Sequence, residues 1–158
     1  MSHQQFDQLM QNLAVQNNGK PAQFLTAFSP IHVFWHVRGR GAIVNAVFQP
    51  IGFLTFHHSV IQAYSKVLQS ANRTLPNPIV NWGPPYDVAI DNISDPVGFS
   101  SAIENWHNGV HNSDMTLMNP ATNIRKRRFW QLHNFIDGKF TTWQQTHRVI
   151  TSAEHQTV

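Results

Sequence analysis

The sequence contains no cysteine, which removes several classes of site at once. Without thiols there is no disulfide framework, no zinc–thiolate site and no thiol nucleophile. Charged side chains are also scarce, at 12% of the residues against about 25% in a typical soluble domain. The formal net charge is only +3, and the one dense basic cluster is Arg125–Arg128. This excess is a weak basis for binding a polyanion, so we expect no nucleic-acid partner.

Long hydrophobic runs are missing as well, and none approaches the length of a membrane span. The first residues, MSHQQFDQLMQN, lack a basic stretch followed by an apolar one, so no signal peptide is expected. Alternation of apolar and polar residues, which would indicate strands, does not extend over a useful length. We therefore expect a soluble, cytoplasmic protein with no membrane partner. Its 158 residues, of which 41% are hydrophobic, suit one domain over 1–158.

The apolar residues recur at helical spacing and predict an all-α protein. The predicted helices cover roughly 6–13, 30–38, 50–70, 96–110 and 123–147. Ser29 and Pro30 are expected as the N-cap and first residue of the second helix, and Asp95 and Pro96 as those of the fourth. A proline-rich segment over 72–96 cannot form one helix, so we interpret it as an ordered crossover. The predicted fold is an antiparallel four-helix bundle with this long crossover loop.

Histidine supplies the strongest functional signal, with 10 residues in the chain. Two pairs of histidines are spaced four residues apart, which places each pair on one face of a helix. Two imidazoles on one face can share a metal ion, and a third from a later helix can complete the set. The predicted ligand sets are His32, His36 and His57 for one ion, and His107, His111 and His133 for the other.

The choice of metal follows from the donors. All-imidazole sites favour copper, zinc, iron or nickel over magnesium and calcium. Di-iron bundles normally use Glu-x-x-His motifs, and the sequence has none. Aromatic neighbours and few carboxylates suit two copper ions, whose reduced form tolerates a neutral, apolar site, with O2 as the bridging ligand. His58 follows His57 directly and projects about 100° away on a helix, so the two cannot serve equally.

The same residues resemble the type 3 copper proteins, a family that comprises tyrosinases, catechol oxidases, phenoloxidases and hemocyanins. The segment from His107 to His111 resembles the family pattern HN-x-x-H. FWQLH, which ends at His133, is similar to the tyrosinase pattern F-W-L-H-H. FLTFHH is similar to F-L-P-W-H-R and places the ligand at His57. HVFWH, which begins at His32, resembles the arthropod H-W-H-W-H. The resemblance extends from about His32 to Gln144.

The resemblance implies a copper oxidase or monooxygenase that uses O2 to ortho-oxidise small phenolic or aminophenolic aromatics. It implies that Asn108, which follows a ligand, orients a water near the copper, and Asn112 follows His111 in the same way. Phe129 is expected to pack against ligand rings. Asp137 is expected to orient a neighbouring group, or else to form a cap or pair with an arginine. We expect no separate domain that covers the coppers, which favours an enzyme. A reversible O2 carrier of hemocyanin type and a non-copper dinuclear metal hydrolase remain alternatives.

Overall fold

The computed structural model describes residues 2–36 and 49–147, with 49–51 by their backbone only. Within these ranges the protein is helical and contains no strand, so the all-α prediction is confirmed. The α-helices are α1 His3–Gln16, α2 Pro21–Phe34, α3 Gln49–Gln69, α4 Pro96–Ser113 and α5 Arg127–His147. Shorter 3₁₀ turns span Val88–Asn92, Met115–Leu117 and Asn123–Arg125. None of the described helices is long and apolar enough to cross a membrane.

Helix α3 lies at the centre and packs against the other four helices. Its aromatic residues alternate between partners, because helical spacing turns successive side chains to different neighbours. Phe56 stacks on Phe6 of α1 with ring centroids 4.6 Å apart, and on Trp35 at 4.3 Å. Full burial of a phenylalanine side chain contributes about 1.5–3 kcal/mol to folding. The centre of the bundle is therefore apolar and well packed before any metal is considered.

The helix ends follow local capping rules in α1 and α4. Ser2 and Gln5 form a reciprocal capping box at the start of α1. Asp95 caps α4, as predicted, and its Oδ2 accepts a hydrogen bond of 2.6 Å from the Gly98 N–H. These caps satisfy backbone donors that have no partner inside the helix.

The predicted start of the second helix was wrong. Helix α2 begins at Pro21, and Pro30 lies inside it. A proline within a helix costs about 3 kcal/mol, because it removes one hydrogen bond and crowds the preceding turn. The earlier turns nevertheless form, and within them Phe24 and Phe28 are fully buried. Core packing thus outweighs the local preference of Pro30.

The proline-rich crossover between α3 and α4 is ordered, as predicted, and lies against the last two helices. Four side chains of α4 and α5 donate hydrogen bonds to its carbonyl groups: Trp106 to Pro84, Gln131 to Asn77, Asn134 to Pro76 and Trp143 to Ile93. Trp82 of the crossover is also buried, at 5% exposure. These contacts link α4 and α5 through the crossover.

Candidate metal centre

Four helical segments direct histidine rings towards one another. His32 lies near the end of α2 and His36 just beyond it, with ring centroids 4.5 Å apart. His107 and His111 of α4 repeat this arrangement at 4.3 Å. The expected shared face of each pair is therefore present. His57 on α3 and His133 on α5 complete the cluster: His32, His36, His57, His107, His111 and His133.

Two groups within this cluster can hold a metal ion. In the first group the ligand nitrogens of His32, His36 and His57 all lie within 4.8 Å of one another. This is the set that the sequence predicts. The second group, by the same distance limit, consists of His57, His107 and His133. His57 belongs to both groups, because its ring stacks on that of His133 with centroids 4.6 Å apart.

His111 borders the second group without joining it. Its ring centroid lies 5.7 Å from that of His133, and its buried Nε2 has no hydrogen-bond partner. An unsatisfied buried nitrogen costs about 1–3 kcal/mol, so a bound cation near this atom would relieve the penalty. Its predicted role as a ligand stays a prediction.

Five of the six rings are held by an oxygen atom at Nδ1. The Nδ1–oxygen distances lie between 2.7 and 3.1 Å, from His32 to Pro120, His57 to Phe53, His107 to Asn108, His111 to Leu117 and His133 to Phe129. Carbonyl oxygens only accept hydrogen bonds, so each Nδ1 carries the proton. In the neutral ring this assignment leaves Nε2 with a free lone pair, the form that binds metals.

The Nε2 atoms of His107 and His133 lie 3.1 Å apart, although neither carries a proton in the neutral state. Two lone pairs at this distance repel unless a cation lies between or beside them. Two nitrogens about 2.0–2.1 Å from one ion, at ligand angles of about 95–110°, are separated by about 3.0–3.4 Å. The Nε2 atoms of His32 and His36 lie 3.0 Å apart. Both pairs therefore have the spacing of two ligands of one metal ion.

Burial keeps these imidazoles unprotonated. Burial lowers the pKa of His32 to about 4 and that of His57, His107 and His133 well below the usual 6.5. Proximity to the other histidines lowers these pKa values further, because two neighbouring imidazolium ions repel. At neutral pH the rings are thus ready to bind a metal without first losing a proton.

Phenylalanine rings surround the histidines. Phe129 stacks on His133 with centroids 3.9 Å apart and meets the edge of His32 at 5.3 Å, so its expected packing is confirmed. Phe53 lies 4.6 Å from His57 and 4.8 Å from His107, measured between centroids. This apolar layer excludes water and restricts the rotation of the ligand rings.

The two asparagines predicted for catalysis lie on the exposed side of α4. The Asn108 side-chain oxygen accepts a hydrogen bond of 3.1 Å from His107 Nδ1, so it contacts the ring of a candidate ligand. Asn112 follows His111 one turn later and is exposed to solvent. Their proposed part in handling a substrate proton remains a prediction.

His58 has a separate partner and belongs to neither histidine group. Its Nδ1 lies 2.6 Å from Asp137 Oδ1 of α5, and this hydrogen bond raises the pKa of His58. Asp137 thus bonds to His58, where an arginine was one of the partners expected. Adjacent histidines in the sequence thus have different surroundings, a metal-type cluster for His57 and a carboxylate for His58.

Sequence reasoning missed the groups that orient the histidines. The carbonyl oxygens of Pro120 and Leu117 come from the loop between α4 and α5, and no side-chain pattern identifies them. Asn123 is also buried and donates from Nδ2 to the Leu117 oxygen, at 3.0 Å. This oxygen therefore accepts two hydrogen bonds, from Asn123 and from His111. The loop is part of the site although it contributes no candidate ligand.

Comparison of the chain with protein-family models, with curated proteins and with solved structures gave no match in any of the three. The family resemblance of the sequence gains no support from these comparisons. A functional assignment must therefore depend on the histidine cluster itself, its buried neutral rings and the oxygen atoms that hold them.

Proposed function

We propose that the protein is a dinuclear copper oxidase or monooxygenase that uses O2 to ortho-oxidise small phenolic or aminophenolic aromatics. The observation that supports a metal is the 3.1 Å separation between Nε2 of His107 and Nε2 of His133, both lone-pair donors. His57 has one free nitrogen, because its Nδ1 is bonded to the Phe53 oxygen, so it can serve only one of the two groups at a time. The pair of ions comes from the motif resemblance. The proposal combines this geometry with the motif resemblance of the sequence.

Copper suits this set of imidazole ligands better than zinc, iron or nickel. Neither histidine group contains a carboxylate, so the charge of a bound ion is not neutralised by its ligands. An uncompensated charge in an apolar interior is costly, which favours a metal that is stable in a monovalent state. Imidazole is a good ligand for copper, and copper can reach that state within the cell.

The chain supplies geometry and a dry environment. A copper pair, when bound, supplies the redox chemistry with O2. The Pro120 and Phe53 carbonyls fix the rings of His32 and His57, and Asn108 fixes that of His107. Of the six histidines, only His36 and His111 are partly exposed. An aromatic substrate would therefore approach on their side of the cluster.

A reversible O2 carrier is the second candidate, and burial of the cluster favours it. His32, His57, His107 and His133 are each at most 3% exposed, and phenylalanines enclose them. Such a shell admits a diatomic gas more readily than an aromatic ring. The two candidates share the metal centre and differ only in access for an organic substrate.

The deciding experiment combines metal analysis with spectroscopy and turnover. We expect two copper ions per chain and a near-ultraviolet absorption band that appears when the reduced protein meets O2. Catechol should then be converted to quinone with uptake of O2, whereas zinc-loaded protein should show neither band nor turnover. Reversible oxygenation without consumption of catechol or monophenol would establish the carrier instead. Absence of both the band and copper binding would contradict the copper proposal altogether.

A further inference from the structure

A basic concavity lies where the end of α3, the start of the crossover and the start of α5 meet α2. Its volume is about 340 Å³, and no histidine of the cluster and no acidic residue lines it. Three arginines line it, Arg73, Arg125 and Arg127, together with Tyr64 and Trp130. Two of these arginines belong to the basic cluster Arg125–Arg128, which the proposed function does not use.

The three guanidinium groups have no anionic partner among the described residues. Arg125 donates one hydrogen bond, from Nη2 to the neutral hydroxyl of Thr26 at 3.1 Å. Arg128 provides a contrast within the same cluster, because its Nε lies 2.8 Å from Asp114 and its guanidinium stacks over Trp82. Repulsion between like charges in one concavity is unfavourable unless an anion compensates it.

The Tyr64 hydroxyl is a further polar group in the lining of the concavity. Tyr64 is only 6% exposed, lines the concavity, and its hydroxyl forms no hydrogen bond with any described residue. Its ring is fixed by Trp130, at a centroid distance of 4.1 Å. The hydroxyl itself remains accessible to water from the concavity. A ligand oxygen bound there would replace that water as its hydrogen-bond partner.

The start of α5 adds to the positive potential. The helix begins at Arg127, its first turn contains no acidic residue, and Lys126 precedes it. A helix N-terminus carries a partial positive charge and free N–H groups, which favour anions. The charge, the hydroxyl and the helix end therefore all favour the same class of ligand.

We propose that this concavity binds a small phosphate monoester. Guanidinium groups form paired, charge-assisted hydrogen bonds with phosphate oxygens, and the Tyr64 hydroxyl can donate a further one. The apolar lining residues Leu25, Leu68 and Trp130 would accept the organic group of the ester. The volume lies within the range of about 300–1,000 Å³ typical of small-molecule pockets. The site is separate from the histidine cluster.

The test measures binding of phenyl phosphate to the purified chain by calorimetry, with inorganic phosphate and phenol as partial ligands. We expect phenyl phosphate to bind more tightly than either, since it uses both the charged and the apolar parts. Arg73→Gln and Arg127→Gln should each weaken binding about ten-fold. Tyr64→Phe, which keeps the ring on Trp130, should weaken it about five-fold. Lys126→Gln removes an equal charge from a residue that does not line the concavity and should change binding less than two-fold.

Three results would overturn the proposal. One is equal loss of affinity in Lys126→Gln and Arg127→Gln, which would indicate only a general attraction to a basic surface. Another is binding of phenyl phosphate that survives the combined Arg73→Gln and Arg127→Gln change. The third is tight binding of a DNA oligonucleotide with none of the monoester, which would assign the arginines to a nucleic acid. The indole N–H signal of Trp130 in nuclear magnetic resonance spectra reports in each variant whether the fold is intact and whether the ligand lies beside that ring.

Discussion

Replacement of His57 by alanine should remove most of the stability that metal confers at the site it serves, whereas replacement of His58 should not. His57 belongs to both histidine groups, so its loss removes a candidate ligand whichever of the two holds the ion. His58 is bonded to Asp137 and belongs to neither. The two substitutions delete the same side chain at adjacent positions of α3 and therefore form a matched pair.

The expected size follows from linkage between binding and folding. Metal at about 1,000 times its dissociation constant stabilises the folded state by about 4.1 kcal/mol per site. Loss of a partner that only orients a ligand weakens metal binding about 10–100-fold, so loss of the ligand itself should weaken it at least about 100-fold. The same metal concentration then stabilises the folded variant by only about 1.4 kcal/mol per site, which is about 2.7 kcal/mol less than in the parent. His57 has one free nitrogen and binds one ion at a time, so this loss applies to one site.

The assay is urea unfolding of each variant with and without metal. The quantity to compare is the difference between the two free energies of unfolding, because His57→Ala also leaves a cavity that destabilises the metal-free protein. His58→Ala leaves the Asp137 carboxylate without its partner, which should cost about 1–3 kcal/mol with or without metal. A His58→Ala protein that loses the metal-dependent difference would refute the assignment, as would a His57→Ala protein that keeps it.

Three further predictions concern pH, positioning and substrate. Burial lowers the pKa of His32 from 6.5 to about 4; between these values only the unfolded chain binds the proton. Metal-free protein should thus lose about 3 kcal/mol of its free energy of unfolding from this group as the pH falls through that window, measurable by urea titration at several pH values. Asn123→Leu should weaken metal binding about 10–100-fold in chelator competition, because it removes a hydrogen bond from the Leu117 carbonyl that orients His111. Asn17→Leu removes a similar hydrogen bond at the end of α1 and should not weaken metal binding. Asn108→Ala should reduce monophenol hydroxylation more than catechol oxidation in a quinone assay, and equal rates in variant and parent would exclude its proposed role.

The faces of individual helices could be predicted from the sequence. Spacing of four residues places His107 beside His111, because both lie on one face of α4. The cap at Asp95 could be predicted equally well, since it depends only on the few residues around it. Pro30 is a position where the local rules fail, because the helix begins earlier, at Pro21, and buries Phe24 and Phe28.

The grouping of the histidines could not be predicted in full. Spacing along one helix fixes which side chains share a face, and it says nothing about the distance to another helix. The stacking of His57 on His133 is such an interhelical contact, and it makes His57 common to both groups. The hydrogen bonds from histidines to the carbonyl oxygens of Pro120 and Leu117 could not be predicted either. Every residue has a carbonyl group, and only the folded loop brings these two close to the rings.

The position of His57 has a consequence for how the chain could be divided. Residues 2–69 contain three of the clustered histidines and residues 96–147 the other three, and the crossover alone joins these segments in the described chain. The group of His57, His107 and His133 takes its nitrogens from both sides of that connection. Two polypeptides produced separately, one for each segment, should therefore assemble as a heterodimer through the shared apolar core, with an affinity that metal raises and a chelator lowers. Metal bound by the cluster would then act as a reversible cross-link between two independent chains.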